Sequence, residues 1–291
     1  MQLQTITEPA PAKLNLFLHV VGRREDGYHL LETVFTFTEA GDTLEASPAG
    51  TLSLAIEGPY AGALAAESDN LVLRAARALA GAAGLGAAGA RLVLRKALPV
   101  AAGLGGGSAD AAATLRALNR LWDLNWPLDR LAAIGGALGA DIPACVYSRP
   151  MLGQGIGTDL SPLPLSESLP VVLVNPGVPL VTAHVFRAFA ERRQGFSPRL
   201  AAGSLPAHAS LDWVSGLAND LEAAARACCP LLDAVESALR RQEGVRLVRM
   251  AGSGPTWFAV FGDGAQTQKA ADRLQEEHPA WWVARSTVLC G

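Results

Sequence analysis

The sequence predicts an α+β fold, or the closely related α/β class, in two domains, and three observations support this prediction. Hydrophobic residues make up 50% of the 291 residues and charged residues 18%, a composition typical of a globular protein with a packed core. Strand-like and helix-like patterns interleave in both halves of the chain. A charge-poor stretch with two prolines, 161–168, separates the halves. We therefore predict domains at residues 1–163 and 164–291.

The first predicted strand, 12–21, carries two polar residues on one face. Alternation along AKLNLFLHVV places Lys13 and Asn15 side by side, opposite a row of apolar residues. A lysine inside an apolar strand is costly to bury unless it is paired. Lys13 is therefore either an edge residue that faces water or part of a site.

The rest of the N-terminal half alternates in the same way. Ser68-Asp69-Asn70 predicts the cap of a helix, and 91–94 predicts a short strand. A helix over 128–138 is followed by Asp141, which fits a turn or an N-cap as well as a site. The run 145–147 is strand-like.

The glycine-rich stretch PVAAGLGGGSADAAA, residues 99–113, allows two interpretations. Its glycines permit close backbone approach, and Ser108 suits the N-cap of the helix that follows. A loop of free amides that enters a helix N-terminus is a natural phosphate site. A flexible turn before an ordinary capped helix explains the same residues equally well.

The C-terminal half starts a new series of elements. We predict a strand at 171–174, helices at 182–193, 217–227 and 231–242, strands at 245–250 and 257–261, and a closing helix at 266–277. The loop AGSGPT, 251–256, joins the last two strands.

Composition and motifs exclude several classes of protein. A net charge of −3 and a pI near 6.0 argue against binding to nucleic acid or to an anionic membrane. None of the three lysines follows a glycine, so the chain has no P-loop motif. A Rossmann fold fits poorly, because no acidic residue ends a strand about 20 residues after the glycines.

The remaining global features predict a cytoplasmic protein. The four cysteines lack metal-ligand spacing, which favours free thiols in a reducing compartment. The N-terminus has neither the basic start nor the apolar core of a signal peptide.

Three blocks in a fixed order resemble the GHMP kinase superfamily. They are PAKLNLFLHVVGRREDGYH near the start, the glycine-rich stretch in the middle, and AGSGPTWFAVF near the end. DGYH, ETVF and GADIP (139–143) narrow the resemblance to the branch that phosphorylates the 2-hydroxyl of a cytidylylated methylerythritol in the non-mevalonate route to isoprenoid precursors. The resemblance implies a two-lobed fold, with an N-terminal ATP-binding α/β domain and a C-terminal ferredoxin-like α/β domain.

The resemblance also implies catalytic residues and cofactors. Asp141 matches the aspartate that takes the proton from the substrate hydroxyl, and Lys13 matches the lysine whose charge orients it and favours the developing alkoxide. ATP and Mg²⁺ are the implied cofactors, with the metal ligands left open. The implied ATP-binding residues are Asn70, Lys96, Pro99, Val100, Ala101, Ala102, Gly103, Leu104, Gly105, Gly106, Gly107, Ser108 and Ala109.

The implied partner is a small molecule, the cytidylylated methylerythritol, and a monomer or weak homodimer is expected. Stacking and hydrogen bonds to the base select a nucleotide-bearing alcohol. The implied substrate-binding residues are Asn15, Tyr28, His29, Phe35, Thr182 and Phe186. Two alternatives stay open: a homoserine-type or mevalonate-type kinase of the same superfamily, and a nucleotide-binding module without turnover.

Three alanines depart from the family pattern. Ala101 and Ala102 stand where related loops commonly have glycine, so we expect both positions to avoid positive φ. Ala251 stands where a serine or threonine is usual. These departures leave the nucleotide affinity open.

Overall fold

The computed structural model describes residues 5–64, 69–86, 88–192 and 195–290. Its strands are β1 (Ile6–Arg23), β2 (His29–Pro48), β3 (Leu52–Glu57), β4 (Ala90–Arg95), β5 (Met151–Gln154), β6 (Asp159–Pro162), β7 (Leu169–Asn175), β8 (Val245–Met250), β9 (Trp257–Phe261) and β10 (Trp282–Val288). Its helices are α1 (Leu71–Ala82), α2 (Gly106–Leu121), α3 (Leu128–Gly136), α4 (Ile142–Tyr147), α5 (Thr182–Glu191), α6 (Leu211–Ser215), α7 (Glu222–Cys228), α8 (Leu231–Arg240) and α9 (Gly264–Glu277). In this described part, no helix is both long and apolar enough to cross a membrane.

The chain divides into two compact units, and each is discontinuous in sequence. The first unit takes the residues up to Ala12 together with Gly41–Val100 and Gly105–Ser148. The second unit takes Lys13–Ala40, Ala101–Leu104 and the chain from Arg149 onward. Strands β1 and β2 contribute residues to both units. The division at residue 163 stays a prediction.

In the first unit, a small sheet supports a group of helices. Strand β4 pairs in parallel with β3 and antiparallel with the end of β2, 43–48. Helix α2 packs against α1 and α4, and α3 packs against α4. Alanines make up half of the buried residues of α2, so neighbouring helices can approach it closely.

In the second unit, antiparallel strands form the core sheet. Strand β7 lies between β10 and β9, and β8 pairs with β9. Helices α8 and α9 pack on these strands. The core between them contains large fully buried side chains, including Trp257, Phe261, Leu232 and Leu239. The short hairpin of β5 and β6 pairs with β2 at 33–35.

Two local predictions in the N-terminal half are wrong. Ser108 is not the N-cap of α2: the helix begins two residues earlier, because Gly105 adopts φ +63° and turns the chain into it. The run 145–147 is helical rather than extended, since Pro143 in the first turn and the buried face of α4 favour a helix.

Other differences lie in the C-terminal half and at element ends. The helix expected at 217–227 starts later, as α7 (Glu222–Cys228), because Asn219 and Asp220 before it hydrogen-bond to other segments. Strands β2 and β10 were not predicted. Ser68 of the predicted cap and Arg193 of the predicted helix end lie outside the described residues.

Candidate functional site

Lys13 and Asn15 are adjacent on β1, as the strand alternation predicts, and both are buried. Lys13 is 5% exposed and Asn15 is 2% exposed, so the interpretation of Lys13 as a water-facing edge residue is wrong. The Lys13 ammonium donates to Asn15 Oδ1 at 3.0 Å. Asn15 Nδ2 donates to Thr33 Oγ1 at 2.8 Å, and Thr33 donates to the Phe17 carbonyl at 2.5 Å. This chain of hydrogen bonds fixes the Asn15 amide and, through it, the Lys13 ammonium.

The Phe35 ring supports Lys13 from the same unit. Lys13 Nζ lies 5.0 Å from the ring centroid, which is within the range of a cation–π contact. Phe35 is 2% exposed and packs against Gly153. The role of Phe35 as a substrate contact stays a prediction.

The loop 251–256 lies close to Asn15 in the second unit. A Cβ placed on Gly252 would stand 3.1 Å from Asn15 Oδ1. The Asn219 side chain donates to the Met250 and Gly252 carbonyls at 2.9 and 2.7 Å, which fixes the start of the loop. The Ser253 and Thr182 hydroxyl oxygens are 2.9 Å apart. Thr182, a predicted substrate contact, is exposed at the first turn of α5.

Residues 101–104 of the glycine-rich stretch also belong to the second unit and are held there by backbone contacts. Thr256 Oγ1 donates to the Ala102 carbonyl at 2.6 Å, and the Lys13 amide donates to the Leu104 carbonyl at 2.8 Å. Gly103 has φ +75°, and a Cβ there would overlap the Gly254 carbonyl oxygen. Gly103 is therefore required both by conformation and by space.

The prediction that Ala101 avoids positive φ is wrong. Ala101 has φ +55°, whereas Ala102 does not adopt a positive φ. The left-handed region brings an L-residue's Cβ too close to its own carbonyl, so Ala101 carries a strain of about 1–2 kcal/mol. The surrounding anchors at Ala102 and Gly103 enforce this conformation.

An aromatic group stands at the start of β2 and on α5. The His29 and Phe186 rings are stacked, with centroids 5.1 Å apart and planes at 23°, and Phe189 meets His29 edge-on. Tyr28 is 63% exposed. Burial, and then the nearby Arg23 guanidinium, lower the pKa of His29 below its ordinary value, so the ring is neutral at pH 7. A neutral imidazole offers one donor and one acceptor, which suits the edge of a base.

The rest of the glycine-rich stretch, from Gly105, belongs to the first unit and forms the N-terminus of α2. The first intrahelical hydrogen bond runs from the Ala109 amide to the Gly105 carbonyl at 2.8 Å. The amides of Gly106, Gly107 and Ser108 precede it and have no partner within the helix. The stretch therefore offers free amides and the positive end of a helix dipole to an anion.

Beneath this helix N-terminus lies a buried charge cluster, Lys96–Asp42–Asp110. The Lys96 ammonium is hydrogen-bonded to a carboxylate oxygen of Asp42, and it donates to Asp110 Oδ2 at 2.8 Å. Asp42 Oδ1 also accepts from the Ala97 and Leu98 amides at 2.6 and 2.8 Å. Each of the three side chains is at most 4% exposed.

The protonation of this cluster is unusual. Burial raises the pKa of Asp110 to about 7, although the positive charge of Lys96 opposes the shift. Burial acts to lower the pKa of Lys96, but the Asp110 and Asp42 carboxylates outweigh it and raise that pKa. The cluster therefore favours the ammonium form of Lys96, whereas burial disfavours the ionised form of Asp110.

Asn70 and Asp141 stand at helix starts in the first unit. The Asn70 side chain accepts from the Val72 amide at 2.9 Å and so caps α1, as predicted. Asp141 is at the N-cap position of α4, but its carboxylate makes no cap hydrogen bond. The position of Asp141 therefore agrees with the turn or N-cap interpretation, although its side chain does not cap the helix.

Sequence reasoning missed three residues that support these groups: Thr33, Asp42 and Asn219. Each bonds to a residue distant in sequence or in another element, so no local spacing marks it. The AND motif at 218–220 and the GDT motif at 41–43 are the signals that could have directed attention to Asn219 and Asp42.

The described residues offer no ready-made metal cage. Within the described ranges, no group of three or more His, Cys, Asp or Glu side chains could hold a metal ion. Mg²⁺ commonly binds through one or two carboxylates together with substrate phosphates, so such a site fits a metal that is carried by a nucleotide.

Comparison with known proteins gives consistent results along the chain. Residues 70–149 match the family "GHMP kinases N terminal domain", and residues 201–283 match "GHMP kinases C terminal". The chain is 45% identical to a 4-diphosphocytidyl-2-C-methyl-D-erythritol kinase of Bradyrhizobium diazoefficiens, over 98% of this chain and 99% of the relative.

Solved structures agree with the sequence comparison. A crystal structure of 4-(cytidine 5'-diphospho)-2C-methyl-D-erythritol kinase superposes with a TM-score of 0.82 at 34% identity, covering 98% of this chain and 100% of that one. A homoserine kinase from Cytophaga hutchinsonii superposes with a TM-score of 0.72 at 19% identity, covering 100% of this chain and 96% of the other. The second likeness concerns the fold alone.

Proposed function

We propose, since the chain belongs to the 4-diphosphocytidyl-2-C-methyl-D-erythritol kinase family of GHMP kinases, that it transfers the γ-phosphoryl group of ATP to the 2-hydroxyl of 4-diphosphocytidyl-2-C-methyl-D-erythritol. The products are the 2-phosphate and ADP. Family membership confirms the resemblance, the α+β fold class and the kinase activity that the sequence predicts. The observation that carries the proposal is 45% identity over 98% of the chain.

Asp141 is the proposed general base. As the γ-phosphoryl group arrives, the Asp141 carboxylate takes the proton of the 2-hydroxyl. The hydroxyl oxygen then bonds to phosphorus, and ADP leaves. A positioned base contributes about 10²- to 10⁴-fold to such a step. The observation in support is the GADIP block, in which Asp141 matches the family's catalytic aspartate.

Lys13 is the proposed source of fixed positive charge. Its ammonium is held by Asn15 and lies over the Phe35 ring, so its position is set before substrate binds. Phosphoryl transfer depends mainly on positioning and on neutralising charge. A buried ammonium supplies that charge without reorganising at the moment of reaction.

The glycine-rich stretch is the proposed polyphosphate-binding element. The free amides at the start of α2 and the positive helix end suit the anionic chain of ATP. We propose that Mg²⁺ enters with the nucleotide, where it neutralises charge on the phosphates.

Tyr28, His29 and Phe186 are the proposed contacts with the cytidine base. The stacked His29–Phe186 pair supplies an aromatic surface, and the neutral imidazole supplies a donor and an acceptor. This recognition would separate a cytidylylated alcohol from smaller alcohols that lack a base.

Purified protein with MgATP and each candidate alcohol in turn, followed by ADP release, tests the proposal. We expect turnover with 4-diphosphocytidyl-2-C-methyl-D-erythritol and none with homoserine or mevalonate. Turnover confined to homoserine or mevalonate would overturn the proposed substrate. Nucleotide binding without phosphorylation of any of the alcohols would overturn the proposed kinase reaction.

A further inference from the structure

The cluster Lys96–Asp42–Asp110 connects a residue before the glycine-rich stretch with a residue that follows its glycines. Lys96 precedes the stretch and Asp110 follows its last glycine, and their side chains are 2.8 Å apart. A Cβ placed on Gly106 would stand 3.1 Å from Lys96 Nζ and 3.7 Å from Asp42 Oδ2. The buried charges therefore lie directly against the backbone whose amides face the proposed nucleotide.

The cluster contains one more carboxylate than its single ammonium can neutralise. With both aspartates ionised, its net charge is −1, and a proton on Asp110 brings it to zero. Asp42 is the better satisfied of the two, since it accepts from two amides and from Lys96. Asp110 Oδ1 is buried and accepts no hydrogen bond from the described residues.

Asp110 is therefore the site where a proton enters the cluster. Because Asp110 Oδ1 has no hydrogen-bond partner among the described residues, the negative charge of this carboxylate is poorly compensated. Burial accordingly raises the pKa of Asp110 to about 7. Of the described charged groups, those that act on this carboxyl are Lys96, which follows β4, and Asp42 of β2. The five histidines all belong to the second unit.

We propose that this cluster couples nucleotide binding to proton uptake, so that the glycine-rich stretch binds a polyphosphate more tightly when the Asp110 carboxyl carries a proton. The reason is electrostatic: a second negative charge beneath the helix N-terminus opposes the anion, and protonation removes it. The inference rests on the proposed binding of ATP at this stretch. Asp110 acts through the loop, as a positioning residue, and does not touch the nucleotide.

The test measures the Kd of MgATP between about pH 6 and about pH 8.5, where bound Mg²⁺ keeps the terminal phosphate ionised. We expect the Kd of the unaltered protein to rise about three- to tenfold over this range, as linkage requires when the bound anion raises the proton affinity of Asp110. Asp110→Asn keeps the shape and removes the titration, so its Kd should be nearly independent of pH. Asp129→Asn, an exposed carboxylate of the same unit, should keep the rise.

A second measurement needs no variant. Calorimetric titration with MgATP at about pH 7.5, in two buffers of different ionisation enthalpy, should show a fractional proton taken up on binding. A Kd that does not change with pH, or a rise that Asp110→Asn preserves, would overturn the inference while leaving the kinase proposal intact. Failure of the unaltered protein to bind MgATP at any pH would instead overturn the nucleotide site, and the inference with it.

Discussion

Thr33 and Thr36 lie three residues apart on β2, and both are fully buried. The Thr33 hydroxyl bridges Asn15 and the Phe17 carbonyl, whereas the Thr36 hydroxyl has no hydrogen-bond partner among the described residues. Thr33→Val should lower the free energy of unfolding by about 1–3 kcal/mol, because it leaves two buried polar groups unpaired. Urea unfolding measures this loss. Thr36→Val, the matched control, should be neutral or stabilising, and an equal loss in both variants would contradict the assigned role of Thr33.

Asp141 carries the strongest prediction on catalysis. Asp141→Asn keeps the size of the side chain and removes its basicity, so kcat should fall by about 10²- to 10⁴-fold while the Kd of MgATP stays nearly unchanged. Steady-state rates and a nucleotide titration measure the two quantities. Asp129→Asn, which alters an exposed carboxylate, is the control and should keep the kcat of the unaltered protein. Substantial residual kcat in Asp141→Asn would refute Asp141 as the base.

Replacing His29 should raise the KM of one substrate and leave the KM of the other unchanged. His29→Ala removes the stacked ring and its hydrogen-bonding edge, so the KM of the cytidylylated alcohol should rise by about 10- to 100-fold. The KM of ATP should not change, and neither KM should change in His208→Ala, which alters an exposed histidine. A rise in the KM of ATP in His29→Ala would mean that the two subsites are interchanged.

At the scale of elements, the loop 101–104 offers a test of strain. Ala101→Gly relieves a positive φ and should raise the free energy of unfolding by about 1 kcal/mol, after the added freedom of the unfolded chain is subtracted. Ala102→Gly, one residue on and without positive φ, should instead lower it by about 0.5–1 kcal/mol. Chemical denaturation of both variants checks the opposite signs. Destabilisation in Ala101→Gly would contradict the described backbone.

Arg249 of β8 joins three segments of the second unit. Its guanidinium donates to the Leu16, Val214 and Leu217 carbonyls at 2.6, 3.0 and 2.6 Å. Arg249→Met should lower the free energy of unfolding by about 3 kcal/mol, because three buried carbonyls lose a charged donor. Arg246→Met, on the same strand but exposed, should stay within about 0.5 kcal/mol of the unaltered protein. A comparable loss in both would contradict this account.

Sequence patterns predicted the elements whose signals are local. The alternation in β1 placed Lys13 beside Asn15, and the cap at Asn70 marked the start of α1. Patterns failed where distant partners decide the structure. Strand β10 pairs with β7, more than 100 residues earlier, and Asp42 meets Lys96 across 54 residues. Ser108 misled because Gly105, with its positive φ, starts the helix before a conventional capping residue is reached.

At the scale of the whole molecule, Asp110 makes stability depend on pH. Its pKa is raised in the folded state from the ordinary 3.8 to about 7, so the folded protein binds more protons than the unfolded chain between these values. Stability therefore falls as pH rises through this window and levels off above about pH 7. Relative to Asp110→Asn, the free energy of unfolding of the unaltered protein should fall by on the order of 3 kcal/mol between about pH 4.5 and about pH 8. If the free energies of unfolding of the two proteins changed with pH in the same way, this prediction would be contradicted.

Family membership, a property of the whole molecule, was the property that the sequence predicted best. Three ordered blocks indicated the GHMP kinases, and the relatives at 45% identity confirm it. The roles of individual site residues stay predictions, because a motif gives residue types in order and does not give contacts between them.

The interleaving of the two units limits how this protein can be rebuilt by recombination. The chain passes from one unit to the other at 12/13, 40/41, 100/101, 104/105 and 148/149. A gene fusion with a single crossover, such as one near residue 163, would graft β7 to β10 from one parent onto β1 to β6 from another. Strand β2 would then pair with a foreign β10 at Thr38. Chimeras of this family should therefore fold best when the donor supplies residues 13–40 and 101–104 along with the C-terminal half.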